Sequence, residues 1–200
     1  MARYGAKYIK FAPFAAKDPD ASKTKYPHYG TPVSLGALNK LTDSPSLNEA
    51  KIYGDDELNE YVAEFKECPI DIETPELPLA SASVVLGATL GTGGSGGDTD
   101  LRLSTEDNAP YGGLAFYCTK LVKNVKVYQG IYYPKVKASV QGEEYNTKGD
   151  SITFATDKLH FVASACLSGE WKVKSALLTS ESAAEAWVDA KIKEYNEGDQ

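Results

Sequence analysis

Long apolar runs are missing from this chain. No stretch of about 18 apolar residues, the length a membrane-spanning helix needs, occurs in its 200 residues. The opening "MARYGAKYIKFAPFAAKDPD" also lacks the apolar core and small-residue cleavage site of a secretory signal. We therefore expect a soluble chain, made in the cytosol and without membrane contact. Histidine and cysteine are scarce as well. His28 and His160 form no ligand-pair spacing with each other or with Cys68, Cys118 and Cys166, which argues against zinc. The three cysteines contain no Cys-x-x-Cys motif and cannot all pair, so they read as reduced, mostly buried thiols. Tyrosine, in contrast, occurs 13 times, and Val, Ile and Thr recur in short runs, a composition that favours strands.

With 42% hydrophobic residues the chain is long enough for one substantial core. Residues 1–30 mix aromatics with the polar "KDPDASKTKYPHYG" and read as an N-terminal arm or long loop. Residues 31–178 read as the main β domain. "TPVSLGALNKL" and "NEAKIYG" are strand candidates on either side of the turn-forming "TDSPS". Between Asp55 and Phe65 the residues Leu58, Tyr61, Val62 and Phe65 fit a helical face. "CPIDIETPEL" alternates Ile70 and Ile72 against Asp71 and Glu73, as a half-buried strand does. "LPLASASVVLG" predicts a short helix stopped by Gly87. Beyond the glycine-rich segment 88–100, "GGLAFYCTKLV", "VKVYQGIYY", "PKVKASVQG", "DSITFAT" (Ile152, Phe154), "KLHFVASAC" and "EWKVKSALL" are successive strands, spaced as in a sandwich or barrel. Residues 179–200 predict an amphipathic helix with Ser180 as N-cap and Gly198 as a stop. Ala184, Trp187, Val188, Lys191 and Tyr195 form one of its faces.

Motifs that would carry chemistry lack their context. "GTGGSG" at 91–96 satisfies G-x-G-x-x-G, but "GDTDLRLSTEDNAP" follows it instead of the helix that would receive a pyrophosphate. The overlapping G-x-S-x-G at 93–97 needs a strand–turn–helix elbow and a histidine base, and the downstream histidine, His160, sits in a strand. Asp98, Asp100, Glu106, Asp107 and Asn108 could offer oxygen ligands to calcium, though not at EF-hand spacing. Asp55, Asp56 and Glu60 could pair for glycoside hydrolysis, but nothing else marks a sugar site. We expect neither an enzyme nor a cofactor- or metal-binding protein.

Charge is the stronger signal. Residues 1–42 carry a net +5, whereas residues 43–76 hold 11 acids against Lys51 and Lys66, a net −9. Such a run is either an ordinary solvated face or a surface that repels a polyanion or attracts a basic partner.

The order "LGALNKLTDSPSLNEAKIYGDDELNEY", "CPIDIETPEL", "ASVVLG", and later "EEYNTKGDSITFATDKLHFVAS" and "GEWKVKS", resembles the major tail proteins of long-tailed bacteriophages over about residues 30 to 178. The corresponding positions are Ile52-Tyr53-Gly54-Asp55-Asp56, Ile70-Asp71-Ile72 and Val85-Leu86-Gly87. The resemblance implies a mainly β, tail-tube-type sandwich or barrel with a short flanking helix, in which residues 55–65 belong to a hairpin and not to a helix. It implies rings of six that stack into a hollow tube within a virion assembled in the host bacterial cytoplasm. Double-stranded DNA would pass through without specific binding, and a tape measure protein, a tail terminator and a distal tail protein would be partners. Under this expectation Glu49, Asp55, Asp56, Glu60, Glu64 and Glu67 face the channel, although alternation lets only about half share a face. Arg3, Tyr4, Tyr8, Phe11, Phe14, Leu90, Gly93 and Gly96 would contact neighbouring subunits. The glycine-rich segment and the C-terminal helix depart from the family pattern. The alternative reading is a β-sandwich that binds carbohydrate or adheres to surfaces.

Overall fold

A computed structural model of the chain describes residues 2–15, 26–54, 57–92, 99–142, 145, 147 and 155–195. In chain order the elements are β1 (Ala2–Pro13), β2 (Val33–Ser34), β3 (Lys40–Asp43), β4 (Ser46–Gly54), β5 (Glu57–Thr74), α1 (Leu79–Leu86), β6 (Thr89–Thr92) and β7 (Thr99–Arg102). They continue with β8 (Tyr111–Val122), β9 (Val125–Ser139), β10 (Asp157–Ala163), β11 (Val173–Lys174) and α2 (Glu181–Lys191). The fold is mainly β: one curled antiparallel sheet runs β2-β1-β8-β9-β10-β5-β3, with β11 added to β9 and β4 added to β5.

The strip β1-β8-β9 is covered on both faces. Leu114, Phe116 and Cys118 of β8 point into the main core with Ile9, Phe11, Ile70, Ile72, Val85, Tyr133 and Phe161. The alternate residues Ala115 and Tyr117 join Ala12, Tyr29 and Tyr132 beneath Ala184, Val188 and Ile192. Two buried faces explain why "GGLAFYCT" shows almost no polar alternation. The expected thiols Cys68, Cys118 and Cys166 are buried and form no disulfide.

Helix α1 stops, and helix α2 starts, where their end signals lie. Gly87 closes α1 with φ 69° and its N–H bonds Ser83 O, the left-handed cap that favours glycine. A Cβ there would stand 2.4 Å from Asn108 O. Ser180 Oγ accepts from the Ala183 N–H at 3.2 Å and caps α2. α2 rests on β8 and β9, and charged contacts hold its outer side: Tyr117 OH donates to Glu181 Oε1 at 2.6 Å, and Lys10 Nζ bonds Asp189 Oδ1 at 2.7 Å. The helix ends at Lys191, short of Tyr195, whose N–H bonds Tyr29 O instead. Gly198, Ile152 and Phe154 lie outside the described residues.

Several expectations need correction. Much of the proposed arm is β1, a sheet strand with Ile9, Phe11 and Ala12 fully buried. Its alternation is hidden because Gly5 and Tyr8 adopt φ of 60° and 59° at two register shifts, which reset the side-chain parity. The glycine-rich segment 88–100 is strand at both ends, where β6 and β7 pair antiparallel. "VKVYQGIYY" and "PKVKASVQG" form the single strand β9, with Pro134 at a break in the β8–β9 register. A residue without an N–H is tolerated at such a break. "TPVSLGALNKL" divides into β2 and β3, and only Val173–Lys174 of "EWKVKSALL" is strand.

Candidate functional site

β5 is one strand with two environments. From Cys68 to Thr74 it lies inside the sheet, bonded to β10 on one side and β3 on the other. From Glu57 to Glu67 it pairs with β4 alone, and β5 is the element on which β4 packs. The result is a two-stranded ribbon leaving the body. Leu47, Ile52, Tyr53, Tyr61 and Val62 on it are between 45% and 66% exposed, whereas Ile70 and Ile72 further along the strand are buried. Phe65 anchors the ribbon's root by stacking on Trp171, with ring centroids 4.4 Å apart.

The register assigns its side chains to faces. Leu47 opposes Phe65, Glu49 opposes Ala63 and Lys51 opposes Tyr61, so these six share a face. On that face Lys51 lies 3.9 Å from Glu49 and over the Tyr61 ring, and the hydrogen bond to Glu49 pushes the Tyr61 phenol up. The other face carries Asn48 and Glu64, Ala50 and Val62, and Ile52 and Glu60. Lys66 is an extra residue between the Ser46–Glu67 and Leu47–Phe65 pairs, and this bulge returns Glu67 to the face of Glu64 and Glu60. The helical spacing of Leu58, Tyr61, Val62 and Phe65 therefore belongs to a strand. Asp55 and Asp56 lie outside the described residues.

A second surface lies at one end of the concave side. Arg3 of β1 stands directly opposite Lys120 of β8, and Lys174 of β11 opposite Ile131 of β9. Arg3 and Lys172 line a pocket of ≈ 210 Å³ with Tyr4, Leu41, Phe116, Ile131 and Tyr133 among others, and Lys120 and Lys174 lie close enough to them to act on one another's charge. Asp43 is the carboxylate of this basic mouth, taking an ion pair from Lys172 and a hydrogen bond from Tyr133 OH at 2.8 Å. Burial opposes the Asp43 charge, but Lys172 and Tyr133 outweigh it and hold the carboxyl below its usual range. Lys172, partial burial and Arg3 together hold the Lys174 ammonium below its usual range. The sequence reading missed this surface, although the alternation of Lys172 and Lys174 about Val173 was a signal for it.

The expected contact residues divide. Arg3, Tyr4 and Leu90 are exposed. Phe11 is not available to a neighbour: it is fully buried and packs on Phe161. Tyr8 donates to Asp189 Oδ2 at 3.0 Å, and Phe14 packs on Tyr29 and Tyr111, so both make contacts inside the chain. Gly93 and Gly96 lie outside the described residues, as does Ser95 of the G-x-S-x-G match. His160 pairs with Asp71 across β10 and β5, with Nδ1 and Oδ1 2.7 Å apart. Asp107 Oδ2 accepts from the Ser104 N–H in a local turn. Among the described residues no three His, Cys, Asp or Glu side chains gather as metal ligands, and no helix is long and apolar enough to cross a membrane. Neither a protein-family model nor a curated protein matches the chain.

Proposed function

We propose that the chain is a structural subunit of a hollow tube of the long-tailed phage type, built from stacked rings of six, through which double-stranded DNA passes. The observation that carries this reading is the β4–β5 ribbon, apolar and acidic, uncovered on both faces and continuous with a core strand. A two-stranded ribbon is at best marginally stable alone in water. Contacts with further copies supply the cover it lacks. The mainly β fold, α1 ending at Gly87 and the order of sequence motifs agree with the family resemblance.

The excess of acid has a use in such an assembly. Each phosphate that a protein neutralises releases counterions and strengthens binding, so a conduit for DNA benefits from an acidic wall. In this reading the ends of the tube meet a tape measure protein, a tail terminator and a distal tail protein, and the assembled chain belongs to a virion. One face of the ribbon turns towards the channel: that of Glu49, or that of Glu60, Glu64 and Glu67.

Negative-stain microscopy and sedimentation of the purified chain over a concentration series are the test. Rings and long hollow tubes are expected, and a monomer at every concentration overturns the reading. In assembled samples, Glu49→Lys and Glu60→Lys test one ribbon face each. The face lining the channel is the one whose variant makes tubes retain DNA in a salt-sensitive way.

A further inference from the structure

The ribbon and the basic mouth carry opposite charges, and among the described residues Glu60 and Glu64 of the one and Arg3, Lys120 and Lys174 of the other make no ion pair, whereas Glu67 lies 3.5 Å from Lys66. At the mouth, Arg3 and Lys120 face each other across an antiparallel pair, an arrangement that costs stability unless an anion lies nearby. The groups acting on Lys174 are Lys172, Arg3, Lys120 and Asp43, and Asp43 is already engaged by Lys172 and Tyr133. The cavity behind the cations has an apolar floor of Leu41, Phe116 and Ile131. The ribbon face bearing Glu60, Glu64 and Glu67 also presents Ile52 and Val62, both exposed. Each surface thus combines charge with apolar area, in complementary sign.

We propose that the basic mouth of one copy receives the Glu60, Glu64 and Glu67 face of another copy's ribbon. This rests on the subunit reading and makes it specific. The two surfaces differ, so the contact is heterologous: each copy gives a ribbon and takes one, which generates closed rings or open filaments. Charge pairing sets the register, and the apolar residues beside it are removed from water. The Glu49 face of the ribbon then remains for the channel.

Charge reversal tests the contact. One variant is Glu60→Lys/Glu64→Lys/Glu67→Lys, the other Arg3→Glu/Lys120→Glu/Lys174→Glu, each checked for its fold by circular dichroism. Alone, each is expected to need at least about tenfold more protein than wild type to assemble, because like charges now meet at every contact. Mixed in equal amounts they should co-assemble at the wild-type concentration, since the lysine ribbon of one fits the glutamate mouth of the other and the reverse pair keeps the native charges. Unaltered assembly of either variant alone, or no recovery in the mixture, overturns this contact while leaving the subunit reading in place. Failure of wild type to assemble at any concentration overturns both. If a triple variant does not fold, Glu64→Lys and Lys174→Glu are compared in the same way.

Discussion

Replacing Gly130 with alanine should loosen the C-terminal helix, and the size of the effect follows from the geometry. Gly130 lies in β9 beneath α2, and a Cβ on it would stand 2.1 Å from Cε3, 2.4 Å from Cζ3 and 2.8 Å from Cδ2 of Trp187. Carbon atoms pack at about 3.5–4.0 Å, so the indole must retreat by more than about 1 Å. The ring is flat and rigid and has no flexible end to swing aside. The helix must move with it, which strains Ala184, Val188 and Ile192, all fully buried against β8 and β9. Overpacking of this kind costs about 1–3 kcal/mol. Complete release of the helix would expose Val188 and Ile192 at about 1.5–3 kcal/mol each, so a strained but docked helix is the cheaper outcome. We expect Gly130→Ala to lower stability by about 2–3 kcal/mol, measured by urea denaturation followed by far-UV circular dichroism. The decisive comparison is the same substitution in a Trp187→Ala background. With the ring gone the clash disappears, and alanine should be neutral or stabilising by about 0.5 kcal/mol, because glycine in a strand costs that much in conformational entropy. An equal loss in both backgrounds would refute the reasoning.

Two further outcomes are expected. Asp43→Asn removes a carboxylate that Lys172 and Tyr133 hold below its usual range, and should cost about 1.5–3 kcal/mol at pH 7, the usual worth of hydrogen bonds to a charged group. The carboxyl's folded-state pKa is depressed, so the stabilisation is complete above the unfolded value near 4 and fades as pH falls through the folded one. Urea midpoints of wild type and variant should therefore converge in acid, and a gap that stays constant down to pH 2 contradicts this. Burial pushes the Tyr26 phenol up to about 12, with Glu170 adding to it, and it pushes Tyr117, Tyr132 and Tyr133 up further. Groups raised in this way stabilise the fold fully below their unfolded value near 10 and lose that contribution as pH rises towards the folded value. Ultraviolet titration should show part of the tyrosine signal appearing only with alkaline unfolding, and smooth ionisation of every tyrosine near pH 10 in the folded protein would contradict it.

What the sequence made legible was whatever a buried face or a strong end signal enforces. "CPIDIET" alternates because one side of β5 meets the core there, and Gly87 and Ser180 stop and start helices through backbone chemistry that needs no tertiary context. β1 escaped because positive φ at Gly5 and Tyr8 breaks its period twice. β9 was divided because Pro134 reads as a boundary unless its register break is known. The ribbon misled periodicity for another reason. Neither of its faces is buried in the single chain, so nothing forces a period of two upon Leu58, Tyr61, Val62 and Phe65. The basic mouth joins positions 3, 120, 172 and 174, and only the sheet's topology makes them neighbours.

The 18-residue length of β5 also has a mechanical consequence. Ribbon and body share one uninterrupted backbone, so tension along the ribbon arrives as a pull along the strand itself. Inside the body that strand is held by seven residue pairs to β10 and four to β3. Their hydrogen bonds lie across the direction of pull, so they resist in shear, many at once, and cannot be unzipped from one end. A grip on the ribbon is therefore a grip on a strand paired along both its edges, and stretching a chain of such molecules would load the buried Cys68, Ile70 and Ile72 of that strand directly.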